Sequence, residues 1–434
     1  MSIELPSLPA SWSRTRLDRV ATVNARIGWK ALTAAEYQSD GYAFLSTPNI
    51  KGREIDFSNV NYISDFRYEE SPELQLKPGD VLLAKDGNTL GIVNIVRDLP
   101  RPATVNGSIA VIRSTGIDPT YLRHVLASRV TQETINMLKG GMGVPHLFQW
   151  DINRLPIPLP PPDEQRRIAD FLDAETARIN RLIAGREKQS ALLDEHYRAA
   201  TYAAITGANE TGPRRASGIA WIDSLPSDWK TMPVNYQFEV MLGKMLNQER
   251  TKGDHLRPYL RNTNVQWDRI DTDDLLMMDF PPAEQERYKV LPGDLLVCEG
   301  GEPGRAAIWD DGREVYYQKA LHRVRARGYS SPRWLYYCLL ASTTLNVFAT
   351  EGNSTTIAHL TGEQLKAHRF PFPDRPIQDK LVGELDALDR RQKKLSLKMI
   401  RQAQLLTERR QALITAAVSG QIDVSTASGR GIEE

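Results

Sequence analysis

Cysteine is nearly absent, with Cys298 and Cys338 making up the whole complement of 434 residues. Nothing around them has metal-ligand spacing, so the sequence argues against a zinc ribbon or disulfide scaffold, and a reducing cytoplasm is the expected setting. Also missing is any apolar run near the roughly 20 residues that cross a bilayer, so no membrane partner is expected. The opening stretch MSIELPSLPASW lacks the basic segment and apolar core of a secretory signal. There is no excess charge of one sign, because 55 Lys and Arg stand against 54 Asp and Glu. That balance neither favours nor excludes nucleic acid, since a basic groove can sit inside a neutral total. What is present, 41% hydrophobic and 25% charged residues, describes an ordinary globular protein. The length allows two or more domains, each with its own core.

The sequence repeats itself. Leu8-Pro9-Ala10-Ser11-Trp12 returns as Leu225-Pro226-Ser227-Asp228-Trp229, an offset of 217. Phe44 to Ile50 returns as Tyr259 to Val265 at 215, and Lys77-Pro78-Gly79-Asp80 as Leu291-Pro292-Gly293-Asp294 at 214. From His146-Leu147 against His359-Leu360 through Ile205-Thr206-Gly207 against Val418-Ser419-Gly420, the offset holds at 213. Ordered blocks with a slowly drifting offset are the trace of a duplication with small loop changes. Each copy has a turn-rich mixed segment, 1–162 and 213–375, with strand-like runs launched from Pro-Gly turns. Each includes a short helical stretch, Pro119 to Met137 and Pro332 to Ala349, with proline at the first position. Prolines at 156, 158 and 160–162, and at 371, 373 and 376, then interrupt regular structure.

Two long stretches almost free of proline follow, giving the expected spacer helices over 163–212 and 376–424 and a flexible tail over 425–434. Both carry heptad-like spacing in one register. Ile168, Leu172, Ile179, Leu182, Leu193, Ala200 and Ala203 occupy a/d positions in the first. Leu381, Leu385, Gln392, Leu395, Leu406, Leu413 and Ala416 occupy them in the second. A helix of this length runs about 65 Å at 1.5 Å per residue, longer than a small domain is wide. It needs a partner, and the partner of matching length and pattern is the other copy. The expected fold class is α+β: two similar mixed heads, two long antiparallel coiled-coil helices, and pseudo-two-fold symmetry.

No constellation for catalysis emerges. A phosphate loop of the Gly-x-x-x-x-Gly-Lys-Ser/Thr type is missing. The nuclease-like pair Asp80 and Lys85 becomes Asp294 and Glu299 in the second copy, and a turn-opening Asp explains both. His146 and His359 recur at matched positions, without the ligands or carboxylates that a metal or a catalytic triad needs. The Asn/Asp-Pro-Pro-aromatic motif of amino-methyltransferases is absent too. No catalytic or metal-binding residue is expected.

The arrangement resembles the specificity subunit of Type I restriction-modification systems. The resemblance rests on Leu225 to Trp229 preceded by Gly218 to Ile222, on both Pro-Gly-Asp turns, and above all on Leu155-Pro156-Ile157-Pro158-Leu159-Pro160-Pro161-Pro162-Asp163-Glu164-Gln165-Arg166-Arg167-Ile168-Ala169. That block is similar to the family's junction from recognition domain into spacer helix. The second copy, Phe370 to Gln378, keeps its prolines and Gln378 but lacks the Glu before it. The resemblance implies two target recognition domains, each reading one half of a split, asymmetric double-stranded DNA sequence, with the helices as a ruler. It implies two methyltransferase subunits docked on the helices, and restriction subunits that cut. S-adenosylmethionine, ATP and magnesium would belong to those partners, and this chain would hold no cofactor.

Base reading needs amides and cations at groove edges, with Lys and Arg on phosphates. The candidates are Asn49, Lys85, Asn88, Asn106 and His146 in the first copy. In the second they are Arg261, Asn264, Arg305, Gln318, Lys319 and His359. The copies diverge between their shared blocks, so two different half-sites are expected. Two other readings stay open: a specificity subunit serving a fused methyltransferase-nuclease, and a coiled-coil scaffold whose heads bind proteins.

Overall fold

The computed structural model describes residues 7–25, 32–140, 144–245, 252–350 and 359–424. The expected tail over 425–434 lies outside them. Contacts group the chain into two units, one of residues 1–187 with 400–434 and one of 188–399. Each unit therefore holds one mixed head and takes a half of each long helix.

In the first unit, four antiparallel strands lie in the order Ala21–Ala25, Ile109–Ser114, Val81–Ala84, Val93–Ile95. A second sheet orders Asn61–Ile63, Tyr42–Leu45 and Ala103–Val105, the last two parallel. The central strands are buried on both faces, which is why Val81-Leu82-Leu83-Ala84 reads as an uninterrupted apolar run. Strand periodicity divides it between two cores. Val81 and Leu83 face the short helices and the long helix, while Leu82 and Ala84 face the second sheet.

The second unit repeats this plan. Its four-stranded sheet is ordered Phe238–Leu242, Leu321–Ala326, Leu295–Cys298, Ala306–Ile308. Its companion sheet pairs Leu256–Leu260 in parallel with Val315–Tyr317, and gains the short strand Lys289–Val290. Leu295 and Val297 point into one core, Leu296 and Cys298 into the other.

The shared blocks explain the likeness bond by bond. Asp80 accepts from the Lys77 amide at 2.8 Å, closing the Pro-Gly turn, and Asp294 accepts from Leu291 at 2.7 Å. Each carboxylate also takes a two-pronged bond, from Arg113 at 2.8 and 2.7 Å and from Arg325 at 2.7 and 2.7 Å. The turn reading of these aspartates, rather than a nuclease reading, matches their bonds. At the junctions, Gln165 is buried, accepting from the Asp118 amide at 2.8 Å and donating to the Pro160 carbonyl at 2.9 Å. Gln378 does the same between Ser331 at 2.9 Å and Pro373 at 2.7 Å. Tyr121 and Trp334, at matched positions, donate to the carbonyls of Pro158 at 3.1 Å and Pro371 at 2.9 Å. The Glu missing before Gln378 is therefore dispensable to the joint, because the glutamine makes it.

The long helices span Pro162–Ile205 and Arg375–Val418, 44 residues each. Among the described residues no helix is long and apolar enough to cross a membrane. Within the second unit, Ser190 meets Ser396 at 3.1 Å and Gln392 donates to Asp194. One number rises as the other falls, so the segments are antiparallel. Within the first unit, Arg410 reaches Asn180, while Gln411 donates to the Ala127 carbonyl at 2.8 Å and docks the helix on the head.

The expected a/d register needs correction. Ile168, Leu172, Ile179, Leu381 and Leu385 are buried, but Ile168 and Leu172 pack into the first head's core, and Leu381 and Leu385 into the second's. Leu193, Leu395, Leu406 and Leu413 are only half-buried, and Leu182 is 45% exposed. From buried Ile179, the half-covered positions run Ile183, Arg186, Ser190, Leu193, Tyr197. Alternate members of the expected register are thus displaced by one residue. Leu182 and Ile183 are both apolar and adjacent, so the heptad pattern could not choose between them.

The expected helix from Pro119 to Met137 is two, Pro119–Ala127 and Arg129–Leu138. Ser128 breaks it by capping the second, its hydroxyl accepting from the Thr131 amide at 3.4 Å.

Candidate nucleic-acid interface

In the first head, three strands finish at the same end of the sandwich. Tyr42–Leu45 leads into the turn Thr47–Ile50, Val81–Ala84 into Lys85 and the turn Gly87–Thr89, and Ala103–Val105 into Asn106. Backbone bonds fix these exits together: Asn106 donates to Leu45 at 2.8 Å, and Lys85 to Ser108 at 2.8 Å. Leu147 then donates to the Lys85 carbonyl at 2.9 Å, bringing His146 alongside.

The second head makes the same bonds with different side chains. Gln318 donates to Leu260 at 3.1 Å, Glu299 to Ala320 at 3.0 Å, and Leu360 to Glu299 at 2.7 Å. Gly243 allows the neighbouring strand to close in, since a Cβ there would lie 2.2 Å from the Gln318 carbonyl oxygen.

The structure therefore gathers Lys85, Asn88, Asn106 and His146 at one end of one head. It gathers Arg261, Arg305, Gln318, Lys319 and His359 at the equivalent end of the other. It does not leave all of them free to touch a ligand. Asn49 and Asn264 are buried, and their amides are spent inside their own loops. Asn49 accepts from the Ser46 amide at 2.8 Å and donates to the carbonyls of Asp56 at 3.2 Å and Asn59 at 2.8 Å. Asn264 accepts from Arg261 at 2.9 Å and donates to Asp271 at 3.0 Å and to the Asp274 carboxylate at 2.7 Å. These asparagines shape their own loops and present no open edge. Lys85 is buried too, its ammonium 3.3 Å from Asp86, which also binds His146.

Asn88, Lys319 and His359 stand exposed, and His146 is half-buried. Arg261 is held by Asp274, while Arg305 donates to the Asn262 carbonyl at 3.1 Å. Asn106 and Gln318 are half-buried.

Sequence reasoning missed two features. Exposed Phe148 and Trp150 stack with ring centroids 5.9 Å apart, and His146 lies 4.5 Å from Phe148. Their signal was the aromatic spacing right after His146-Leu147. Lys244 is buried against Glu284 at 2.5 Å and the Asp279 carbonyl at 2.6 Å, bracing the second head's loop. Among the described residues no group of three or more His, Cys, Asp or Glu is placed to hold a metal ion.

One scaffold built twice, with different side chains on the loops at one end of each copy, defines a protein of the α+β class made of two like units. The chain belongs to the family of the Type I restriction modification DNA specificity domain, whose description matches residues 9–190 and 226–402. It is 22% identical over 302 residues to the EcoKI specificity subunit of Escherichia coli K12, across 67% of this chain and 61% of that one. The EcoBI specificity subunit of Escherichia coli is 22% identical over 404 residues, 88% of this chain and 80% of its own. The match thus spans less than two thirds of EcoKI's subunit, and 45% of the MjaVIII specificity subunit of Methanocaldococcus jannaschii. Among solved structures, a chain from work on complex assembly and conformational transition of the type I R-M system gives a TM-score of 0.73 at 17% identity, covering 96% of this chain and 100% of that one. The HsdS subunit from Thermoanaerobacter tengcongensis gives 0.52 at 17%, covering 97% and 100%. At such identities the likeness is one of fold.

Proposed function

We propose that the chain is the sequence-reading, non-catalytic subunit of a Type I restriction-modification complex. It binds a bipartite, asymmetric double-stranded DNA target, one half-site per head. The observation that carries this reading is the pairing of an invariant frame with altered loop ends. Asn106 and Gly107 of one head stand where Gln318 and exposed Lys319 stand in the other, each held by the same strand-exit bond. Shared backbone bonds hold both loops in the same pose, so the difference is chemical. A head that presents different donors and acceptors from the same place reads a different set of bases.

The long helices serve as the spacer and as the docking surface for two methyltransferase subunits, with restriction subunits joining them. S-adenosylmethionine, ATP and magnesium act on those partners. The separate expectation of a coiled-coil scaffold for proteins is not favoured by the family. A fused methyltransferase-nuclease partner would use the same chain unchanged.

Mapping methylated adenines in cells that express the chain with its methyltransferase tests the proposal. A split, non-palindromic motif with one adenine modified in each half is the expected result. A continuous or palindromic motif, or no motif, sinks it.

A further inference from the structure

We propose that the first unit contains a binding site for a phosphate-type oxyanion, between the loop at Arg53, the helix Pro119–Ala127 and the long helix. A cleft of about 200 Å³ there is lined by Arg53, Arg97 and Arg123 together with Glu54, Asp173 and Asn180. Arg410 stands behind Asn180, bonded to its side-chain oxygen. Three guanidinium groups thus line the cleft with two carboxylates, Arg53 lying 3.7 Å from Glu54, and Arg410 adds a fourth positive charge just outside the lining.

The available carboxylates are already engaged. Arg97 holds both, Asp173 at 2.9 Å and Glu54 at 3.4 Å. Arg123 reaches neither. Its NH1 lies 3.2 Å from His124 Nδ1, and the other ring nitrogen of His124 lies 2.8 Å from Asp173. A neutral imidazole that accepts from Arg123 and donates to Asp173 satisfies both bonds. Burial keeps this histidine's pKa below its ordinary value. A neutral relay between them leaves Arg123 without a direct carboxylate bond, Asp173 acting on it only through space, and its buried Nε has no hydrogen-bond partner.

The duplication supplies an internal control. Arg53, Arg97, Arg123 and Arg410 correspond to Asp268, Asp310, Tyr336 and Tyr197, so none of the four positive charges recurs in the second unit. Asp173 is kept as Asp386, but there it is met directly by Arg333 at 2.8 Å, and Asp268 also binds Arg333. Lys393, in place of Asn180, pairs with Asp389 at 2.8 Å and Asp268 at 3.4 Å. The second unit closes its own charges, whereas the first leaves a cationic cleft open. If packing alone were required of this position, the self-neutralised version would serve both units.

Guanidinium forks match oxyanions in two-pronged geometry, and forks arriving from several directions suit a tetrahedral group better than a planar carboxylate. At about 30 Å³ per water, the cleft holds several solvent molecules or one such group with its remaining hydration.

The proposal does not rest on the DNA reading, and its test separates the two. The full chain is melted in phosphate, acetate and chloride at matched ionic strength. Phosphate should raise Tm above both others in a saturable manner. The variant Arg53→Asp, which copies the second unit at an exposed position, should keep its Tm in chloride and bind phosphate at least tenfold more weakly. Arg123→Met should lose the same increment. An increment that is absent in the parent, equal for acetate, or retained in Arg53→Asp overturns the site.

Duplex binding across a salt series identifies the source of the phosphate. A slope reduced by about 0.9 in Arg53→Asp assigns the site to a DNA backbone phosphate. An unchanged slope with a lost phosphate increment assigns it to a free oxyanion. If the parent binds no duplex, the DNA reading fails while the phosphate increment still decides this one.

Discussion

Asp80 and Asp294 each tie a turn amide and an arginine fork to one buried carboxylate. Asp80→Ala would strand the half-buried Arg113 and the Lys77 amide, and Asp294→Ala the equivalent pair. Because both arginines keep some solvent contact, the cost falls below that of a fully buried pair, about 2–3 kcal/mol for each. Urea unfolding should show a lower midpoint in both variants. An unshifted midpoint would make these turns incidental.

The same scale governs pH. His124 is completely buried and its pKa is lowered, first by burial and then by neighbouring arginines, outweighing the pull of Asp173. Below the unfolded value of about 6.5, the unfolded chain then binds the extra proton more readily, so stability falls as pH drops. Asp173 adds to this at lower pH. Burial alone would raise its pKa, but bonds from His124 and Arg97 hold it at about 2. Its contribution is present above about pH 4 and lost on the way down to about 2. Thermal melts from pH 7.5 to 5 should show a declining Tm. His124→Gln should shrink that decline, and an equal decline in the variant would dismiss the assignment. At this scale the Pro-Gly-Asp turns were readable from sequence. The inward amides of Asn49 and Asn264 were not, because asparagine that reads a base and asparagine that closes a loop have the same letter and the same neighbours.

Among the elements, the helices were visible as long stretches bounded by proline, and each runs unbroken for 44 residues. Their register was less legible, since neighbouring apolar residues satisfy a 3.5-residue period equally well. Tertiary contact settles the choice in favour of Ile183 over Leu182. Ile179→Ala should cost about 2–4 kcal/mol as a buried truncation, whereas Leu182→Ala should stay within about 0.5 kcal/mol. Comparable losses by chemical denaturation would restore the expected register. The helix ends carry a second constraint. Gly207 and Gly420 turn with φ of +58° and +72°, and a Cβ would lie 2.6 Å from Pro226 and 2.4 Å from Pro9 respectively. The repeated Leu-Pro-x-x-Trp block therefore packs against a glycine at the end of a long helix in both units. In the first unit that helix comes from the far end of the chain, a pairing that sequence order conceals. Gly420→Ala combines positive-φ strain with this clash and should lower Tm by several degrees. A variant melting like the parent would count against the joint.

For the whole molecule, the duplication would have a consequence that a single reader lacks: if each head reads its own half-site, as proposed, each half of the target should be alterable alone. Lys319 is exposed at the loop end of the second head, and its backbone is fixed by the bond to the Lys244 carbonyl at 2.8 Å. Lys319→Ala therefore removes a charge without disturbing the loop that carries it. If the ammonium contacts a phosphate, the complex should bind all sequences more weakly, and the salt slope should fall by about 0.9. If it contacts a base, discrimination at that position should fall by about 1–3 kcal/mol, so methylation mapping would show one degenerate position in one half-site. In both cases the half-site read by the first head should remain intact, because no residue of that head has been touched. Asn88→Ala, in the first head, should give the reciprocal pattern. Degeneracy spreading into both halves after either substitution would mean that the heads do not read independently, and the two-reader proposal would fail with it.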